Sequence, residues 1–207
     1  MKENKKKRFV SKGDFGYFKS EKKKRLLITA IMLGIPLAIF ATAWIYHGTR
    51  LTIWTVITVV GSLPGCKSLL SLIMMLMRRP MDQELYKKIQ KHQGSLVMAY
   101  EMYMTFYEKS AYIDAVAVCG NTVVAYSSDP KIDTEFMAKE CQKLVRKNGY
   151  KADVKILKDL RMFLDRLDSM NEHKESLEEG IKFVPDERYP DLSRNELIKH
   201  TILALCL

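Results

Sequence analysis

The side chains that could catalyse a reaction or bind a metal are few, and none stands at a recognised catalytic spacing. The cysteines and histidines include no pair at the spacing of a zinc, redox or nucleophilic site. The chain contains no P-loop, no GxGxxG or GxSxG turn and no HExxH helix. We therefore predict no cofactor and favour a protein without catalytic activity. The residues concerned are Cys66, Cys119, Cys141, Cys206, His47, His92, His173 and His200.

One carboxylate, Asp114, is a weak candidate for a metal ligand. It lies in the apolar segment 112–118, which has the composition of a buried strand. A divalent cation needs several oxygen ligands, and the next predicted strand supplies none. Cys119 precedes Gly120 in a turn and is compatible with a reactive thiol or a small buried side chain, of which the second is the commoner role.

The formal net charge of +10 is concentrated near the N-terminus. Residues 1–25 contain eleven Lys and Arg and three acidic residues, whereas residues 78–207 contain 21 of each sign. A nucleic-acid-binding domain carries its basic patch on the folded body, and here the body is neutral. We therefore expect no nucleic-acid partner. We expect the basic tail over 1–25 to contact anionic lipid headgroups or only to determine the topology, and the alternative is nucleic-acid contact through the tail alone. Gly13 and Gly16 argue against a stable helix in it.

Two apolar runs follow the tail, and each is long enough to cross a bilayer. Residues 26–46 carry no charge and would form about 31 Å of helix. Residues 51–77 form a second run that contains Lys67 and is interrupted by Pro64-Gly65. The short turn 47–50 permits only antiparallel neighbours. The sequence therefore predicts an N-terminal transmembrane helical hairpin over 26–77.

The Lys and Arg bias predicts the orientation of this hairpin. Basic residues precede the first run and Arg78-Arg79 follows the second, whereas the turn carries only Arg50. The positive-inside rule then places both termini and the body over 80–207 in the cytoplasm of a two-pass cell-membrane protein, with the turn outside. The alternative is a cleaved signal peptide, because Ala41-Thr42-Ala43 resembles a cleavage site, but the first run is long for a signal core.

The residues expected at the membrane surfaces are basic near the body and aromatic near the turn. Lys67 is either a functional charge or a lysine that snorkels to the headgroups. The small residues of Ala30-Gly34-Ala38 and of Gly61 with Gly65 would let helices approach closely, either within the hairpin or in a dimer. The predicted lipid contacts are Lys22, Lys23, Lys24, Arg25, Trp44, Tyr46, Trp54, Lys67, Arg78 and Arg79.

The body is predicted to be an α+β domain with a small mixed sheet and flanking helices. Its predicted element order is α-β-β-β-α-β-α-α. The segment 96–107 could also form a buried helix. The final helix ends apolar, so it must pack on the body, a partner or the membrane. Strands are predicted at 96–107, 112–118, 122–127 and 153–157, helices at 82–92, 132–147, 158–179 and from 193 onward, and extended surface chain at 180–192.

The first six elements of the body resemble the α-β-β-β-α-β core of the restriction-endonuclease-like nucleases. In that family an Asp of the second core strand and a Glu-x-Lys of the third bind the metal, and Asp114 stands where the Asp would be. The third predicted strand reads Val123-Val124-Ala125-Tyr126 and has neither Glu nor Lys. The resemblance extends over about 80–160 and implies a degenerate nuclease scaffold without its metal site.

The two-helix plan is similar to that of short bacterial two-helix membrane proteins sometimes labelled O-linked GlcNAc transferase-like. Transferase chemistry is not expected, because the chain has no array of helical pairs and no nucleotide-binding signature. The sequence favours a membrane-anchored, non-enzymatic interaction or scaffold protein that binds a protein partner or associates with itself. The alternative is a membrane-associated enzyme, either on a degenerate nuclease-like scaffold or acting on lipid or sugar substrates.

Overall fold

The computed structural model describes residues 10–48, 53–107, 109–181, 183, 189–204 and 206, and its chain divides into two compact units. One unit is Phe18–Pro80, which contains both apolar runs. The other unit joins the residues up to Tyr17 to Met81–Leu207, and we call it the body. The described residues form seven helices and four strands, which is the mixed α+β content predicted. Most of the predicted extended segment 180–192 lies outside the described residues.

The first unit consists of two long helices, α1 (Tyr17–His47) and α2 (Ile53–Met77). Both are long and apolar enough to cross a membrane, judged by length and composition alone. The prediction that the tail is not helical is wrong for residues 17–25. Gly16, with φ +84, precedes the helix, and the lysines and arginine that follow are good helix formers.

The two helices run antiparallel in close contact. Thr29 Oγ1 and Ser68 Oγ lie 2.8 Å apart across the pair. A Cβ added to Gly65 would lie 2.6 Å from Leu33 Cδ2 and 3.1 Å from Met32 O, so a larger residue would require the Leu33 side chain or the helix to shift. α2 is helical through Pro64-Gly65, with Pro64 inside the helix.

Only one of the two predicted small-residue stripes packs inside this pair. Gly65 is buried against α1, and a Cβ on Gly61 would lie 3.9 Å from Pro36 Cγ. Ala30, Gly34 and Ala38 are exposed, and among the described residues a Cβ built on Gly34 meets nothing within 4 Å apart from the adjacent backbone of its own helix. The α2 glycines therefore serve the contact within the hairpin, and the α1 stripe does not.

The body contains a four-stranded mixed sheet with strands in the order β1-β2-β3-β4. β1 (Val97–Phe106), β2 (Lys109–Cys119) and β3 (Thr122–Tyr126) are antiparallel neighbours, and β4 (Asp153–Leu157) lies parallel to β3. The strand predicted over 96–107 is confirmed, and its helical alternative is wrong.

Helices cover both faces of the sheet, so the body has two hydrophobic cores. α4 (Thr134–Lys147) and α7 (Arg194–Ala204) pack on one face, and α3 (Gln83–His92) and α5 (Leu160–Glu172) pack on the other. The apolar side chains of α7 are buried in the body, the first of the three predicted possibilities.

One helix differs from the prediction. The charged residues after α5 form a separate helix, α6 (Lys174–Glu178), instead of an extension of α5. His173, with φ −103 and ψ 21, ends α5 and begins α6, because this backbone conformation is not helical.

The outer edge of β1 is covered by chain from both ends of the body. Residues 10–16, which we call the strap, pass one half of the strand, where Tyr100 N donates to Gly13 O at 2.8 Å. Cys206 forms an isolated antiparallel bridge with Met104 on the other half. Covering an edge strand in this way removes a surface on which other chains could pair.

Candidate functional site

Two predicted lipid contacts, Lys22 and Arg25, face the neighbouring helix at the basic end of the hairpin, where α1 begins and α2 ends. Lys22 Nζ donates to Arg78 O at 2.6 Å and to Leu76 O at 3.3 Å. The last carbonyls of a helix lack intrahelical donors, so this ammonium satisfies them. Arg25 Nη1 donates to Ser71 Oγ. Lys22 and Arg25 therefore connect α1 to α2.

The remaining cations near the start of α1 point outward. Lys19 and Lys23 are exposed, as is Arg79 beyond the end of α2. Lys24 has 62% of its side chain exposed and lies 3.7 Å from Glu21, which also accepts from Arg25 Nε at 3.4 Å. Of the predicted lipid contacts in this region, Lys23, Lys24 and Arg79 thus present their charges to the surroundings.

Arg78 and Lys67, both predicted lipid contacts, have different surroundings. The Arg78 guanidinium lies 5.8 Å from the centre of the Phe18 ring and is half-buried. Lys67 is exposed on α2, next to Ser68 in the helix contact. Lys67 therefore lies outside the contact between the helices.

Aromatic side chains lie on the surface at the turn end of the hairpin. Trp44, Tyr46 and Trp54 are all exposed, and Phe40 packs near Trp44 with ring centres 6.3 Å apart. Exposed amphipathic rings near the ends of apolar helices are typical of membrane interfaces. The contact of these three residues with lipid stays a prediction.

Asp114 is buried in β2, where its Oδ2 accepts a hydrogen bond from Ser128 N at 2.6 Å. Burial raises the pKa of Asp114 above its ordinary value of 3.8, and the hydrogen bonds from Ser128 partly offset this rise. Ser127 Oγ donates to Tyr112 O at 2.5 Å and accepts from Asp129 N at 3.2 Å. Asp114 therefore accepts one of the hydrogen bonds that hold the chain immediately after β3. In the described part of the chain, no three His, Cys, Asp or Glu side chains group closely enough to bind a metal.

A second buried carboxylate, Glu101, was not singled out by the sequence patterns. It is 2% exposed in the middle of β1, and its φ of +52 lies in the left-handed region. Its Oε1 accepts from Met81 N at 3.0 Å. The strand register on either side of it pairs Tyr100 with Ala115 and Met102 with Ile113. A charged residue in an otherwise apolar strand is the signal that could have identified it.

The strap and α3 form an aromatic stack beside β1. Phe15 stacks on Tyr86 with ring centres 4.0 Å apart, and Tyr86 meets Tyr100 edge-on at 5.1 Å. Tyr100 OH donates to Gln93 Oε1 at 2.9 Å, and burial raises the pKa of Tyr100. A groove of about 820 Å³ opens beside the stack and is also lined by Lys199. The strap is therefore held against α3 and β1 by aromatic packing, in addition to the backbone hydrogen bond between Tyr100 and Gly13.

The thiol near the β2–β3 turn is buried. Burial raises the pKa of Cys119, and the Glu178 carboxylate raises it further. Burial also raises the pKa of Cys141 to about 12. A reactive cysteine needs a lowered pKa and access, so neither thiol has the surroundings of a nucleophile. Of the two roles considered for Cys119, the small buried side chain fits the structure.

Comparisons with known proteins add no assignment. No family model, no curated protein and no solved structure matches this chain.

Proposed function

We propose that this chain is a membrane-anchored, non-enzymatic interaction protein. In this proposal α1 and α2 cross the cell membrane, and the body lies at the cytoplasmic face, where it binds a protein partner or a second copy. The proposal is supported by two helices that are apolar enough to span a bilayer and that expose large apolar side chains along their length.

One observation carries the proposal, namely how the body is attached to the hairpin. The strap precedes α1 and is bound at Tyr100 N, and Met81 follows α2 and is bound at Glu101. Both connections are therefore fixed at adjacent residues of one strand. The body therefore holds the chain segments on both sides of the hairpin within its own fold, which suits a domain displayed from a membrane anchor.

The orientation follows from the distribution of cations. Eight of the nine Lys and Arg between Phe18 and Pro80 lie outside the turn, and only Arg50 lies within it. This bias favours a basic end that remains in the cytoplasm.

Cysteine labelling in intact cells tests the orientation. In a Cys66→Ser background, Arg50→Cys and Lys147→Cys carry single added thiols at the turn and at an exposed position of α4. A membrane-impermeant maleimide is expected to label the Arg50→Cys variant in intact cells, and the Lys147→Cys variant only after the cells are opened. Labelling of Lys147→Cys in intact cells would contradict the proposed placement of the body.

Cross-linking in cells tests the interaction role. The full chain should give reproducible cross-linked species that contain either one other protein or a second copy. A monodisperse monomer in mild detergent without any reproducible cross-linked species would count against an interaction module.

A nuclease-like enzyme is the alternative, favoured by one observation. The elements from α3 to β4 follow the order α-β-β-β-α-β, with three antiparallel strands and a fourth strand parallel to the third. Asp114 lies in the second strand. Calorimetric titration of the full chain in detergent with Mg²⁺ or Mn²⁺ separates the two proposals. Binding that Asp114→Asn abolishes would favour the enzyme, and no binding would favour the interaction module.

A further inference from the structure

We propose that the basic end of the hairpin is a binding surface for anionic phospholipid headgroups, formed by Lys19, Lys23, Lys67 and Arg79. The inference rests on the proposed membrane anchoring and names the lipid class that the anchor prefers. It also assigns Lys22 and Arg25 a different role, the connection of α1 to α2.

The first argument is that some of the neighbouring cations bind α2 and others are exposed. Lys22 and Arg25 donate to acceptors on α2, at Arg78 O, Leu76 O and Ser71 Oγ. Their positions continue the line of Thr29, which also contacts α2, because residues three or four apart share a helix face. Lys23 lies off this line, Lys19 lies one turn before Lys22 at the start of α1, and both are exposed. The outward cations are therefore available to an external anion.

The second argument is the depth of Lys67. Because Thr29 is paired with Ser68 in antiparallel helices, Lys67 lies at about the level of Ala30. The uncharged run of α1 begins at Leu26, so Lys67 lies roughly 6 Å inside it at 1.5 Å per residue. A lysine so close to the end of a span extends its ammonium to the headgroup layer. Lys67 thus reaches the lipid phosphates from the apolar side of this layer.

The third argument is charge complementarity. Glu21 is the only acidic residue between Phe18 and Pro80, and it contacts Arg25 and Lys24. The exposed cations Lys19, Lys23 and Arg79 are therefore left to a partner of opposite charge. Anionic headgroups are the anions that always lie at this level of a membrane-spanning hairpin.

Lipid retention by the full chain tests this assignment. The protein is equilibrated with mixed micelles of phosphatidylcholine and phosphatidylglycerol, and the lipids that remain bound are counted by native mass spectrometry. We expect phosphatidylglycerol to be enriched, and we expect added salt to reduce the enrichment. The triple variant Lys19→Gln, Lys23→Gln, Arg79→Gln should lower it by about a hundredfold, because each cation near an anionic surface contributes about fivefold. Lys67→Gln alone should lower it by about fivefold.

Two control variants make the test specific. Lys131→Gln, Lys139→Gln, Lys147→Gln removes the same charge from exposed positions of the body and should leave the enrichment unchanged. Lys22→Gln, Arg25→Gln should keep most of the enrichment while lowering the thermal stability of the hairpin.

Two results would overturn the inference. Unchanged phosphatidylglycerol enrichment in the triple variant would show that these cations do not select the lipid. An equal loss of enrichment in the control with three lysines of the body replaced would show the same. Extraction of the wild-type chain from bilayers by alkaline carbonate would overturn the membrane anchor itself, whereas an inserted chain without preference would overturn only the lipid assignment.

Discussion

Met81 donates its backbone N–H to the buried carboxylate of Glu101, with 3.0 Å between the nitrogen and Oε1. Glu101 occupies a left-handed conformation, φ +52, inside a strand. Such backbone strain costs about 1–2 kcal/mol in a residue that is not glycine. The N–H of the neighbouring Tyr100 donates to Gly13 O. The irregular point of β1 is therefore where the chain that leaves the hairpin and the chain that enters it are both attached.

Substitution of Glu101 should test this attachment. Glu101→Leu removes the acceptor and leaves Met81 N–H without this bond in a buried site, so we expect a loss of about 1–3 kcal/mol in the free energy of unfolding. Glu101→Gln retains an acceptor oxygen and should lose less. Chemical denaturation of the full chain in detergent measures both. Equal losses in the two variants would contradict the role given to the hydrogen bond.

Removal of the Phe15 ring should loosen the strap. Phe15→Ala loses the stacking on Tyr86 and part of the packing, and we expect a cost of about 1–3 kcal/mol. Hydrogen exchange at Tyr100 N–H reports the weakened attachment of the strap directly, because this amide donates to Gly13 O. Exchange should accelerate by about tenfold for every 1.4 kcal/mol lost. Phe15→Leu keeps apolar contact and should show a smaller change, and unaltered protection in Phe15→Ala would mean that the stack does not fasten the strap.

The strap also shows where prediction from sequence reaches its limit. Strands and helices of the body were predictable because apolar periodicity and turn residues are local signals, as at Gly120-Asn121 and in 153–157. The pairing of Gly13 with Tyr100 is a hydrogen bond between backbone groups. Because almost every residue has these groups, the sequence contains no signal for this pairing. The inward direction of Lys22 and Arg25 likewise depends on how α1 packs on α2, and composition alone treats all the cations of the tail as equivalent.

Gly65→Ala should separate the two helices of the hairpin. The new methyl group would lie 2.6 Å from Leu33 Cδ2 and 3.1 Å from Met32 O, so we expect a loss of about 1–3 kcal/mol from overpacking. Gly34→Ala is the matched control, because it adds the same group to α1 at a position where no described residue outside the adjacent helix backbone lies within 4 Å. The measurement is the rate of disulfide formation between Thr29→Cys and Ser68→Cys in each background. A slower rate is expected only with Gly65→Ala, and equal rates would contradict the close approach.

Asp114 should make the stability of the body depend on pH. Burial raises its pKa in the folded chain above the ordinary 3.8, so the folded state binds the proton more tightly than the unfolded state. The stability that Asp114 gains from its raised pKa is therefore fully present below pH 3.8. This part of the free energy of unfolding is lost as the pH rises through the raised pKa.

Asp114→Asn is the variant that isolates this dependence. Its amide oxygen can accept from Ser128 N without a buried charge, so the variant should match or exceed the wild type in stability at neutral pH. Unfolding free energies of both proteins across the acidic range provide the comparison. A wild type that gains stability relative to Asp114→Asn as the pH rises would show the opposite sign.

The attachment of the strap determines the order in which the protein can be assembled during translation. The Lys12 ammonium donates to Cys206 O, a partner 194 residues further along the chain. Both long helices are synthesised well before that partner exists, so they are free to enter a bilayer while the strap is still unpaired. The edge of β1 closes only after Cys206 has been synthesised. We therefore expect ribosome-bound intermediates to contain both long helices and an unfinished sheet.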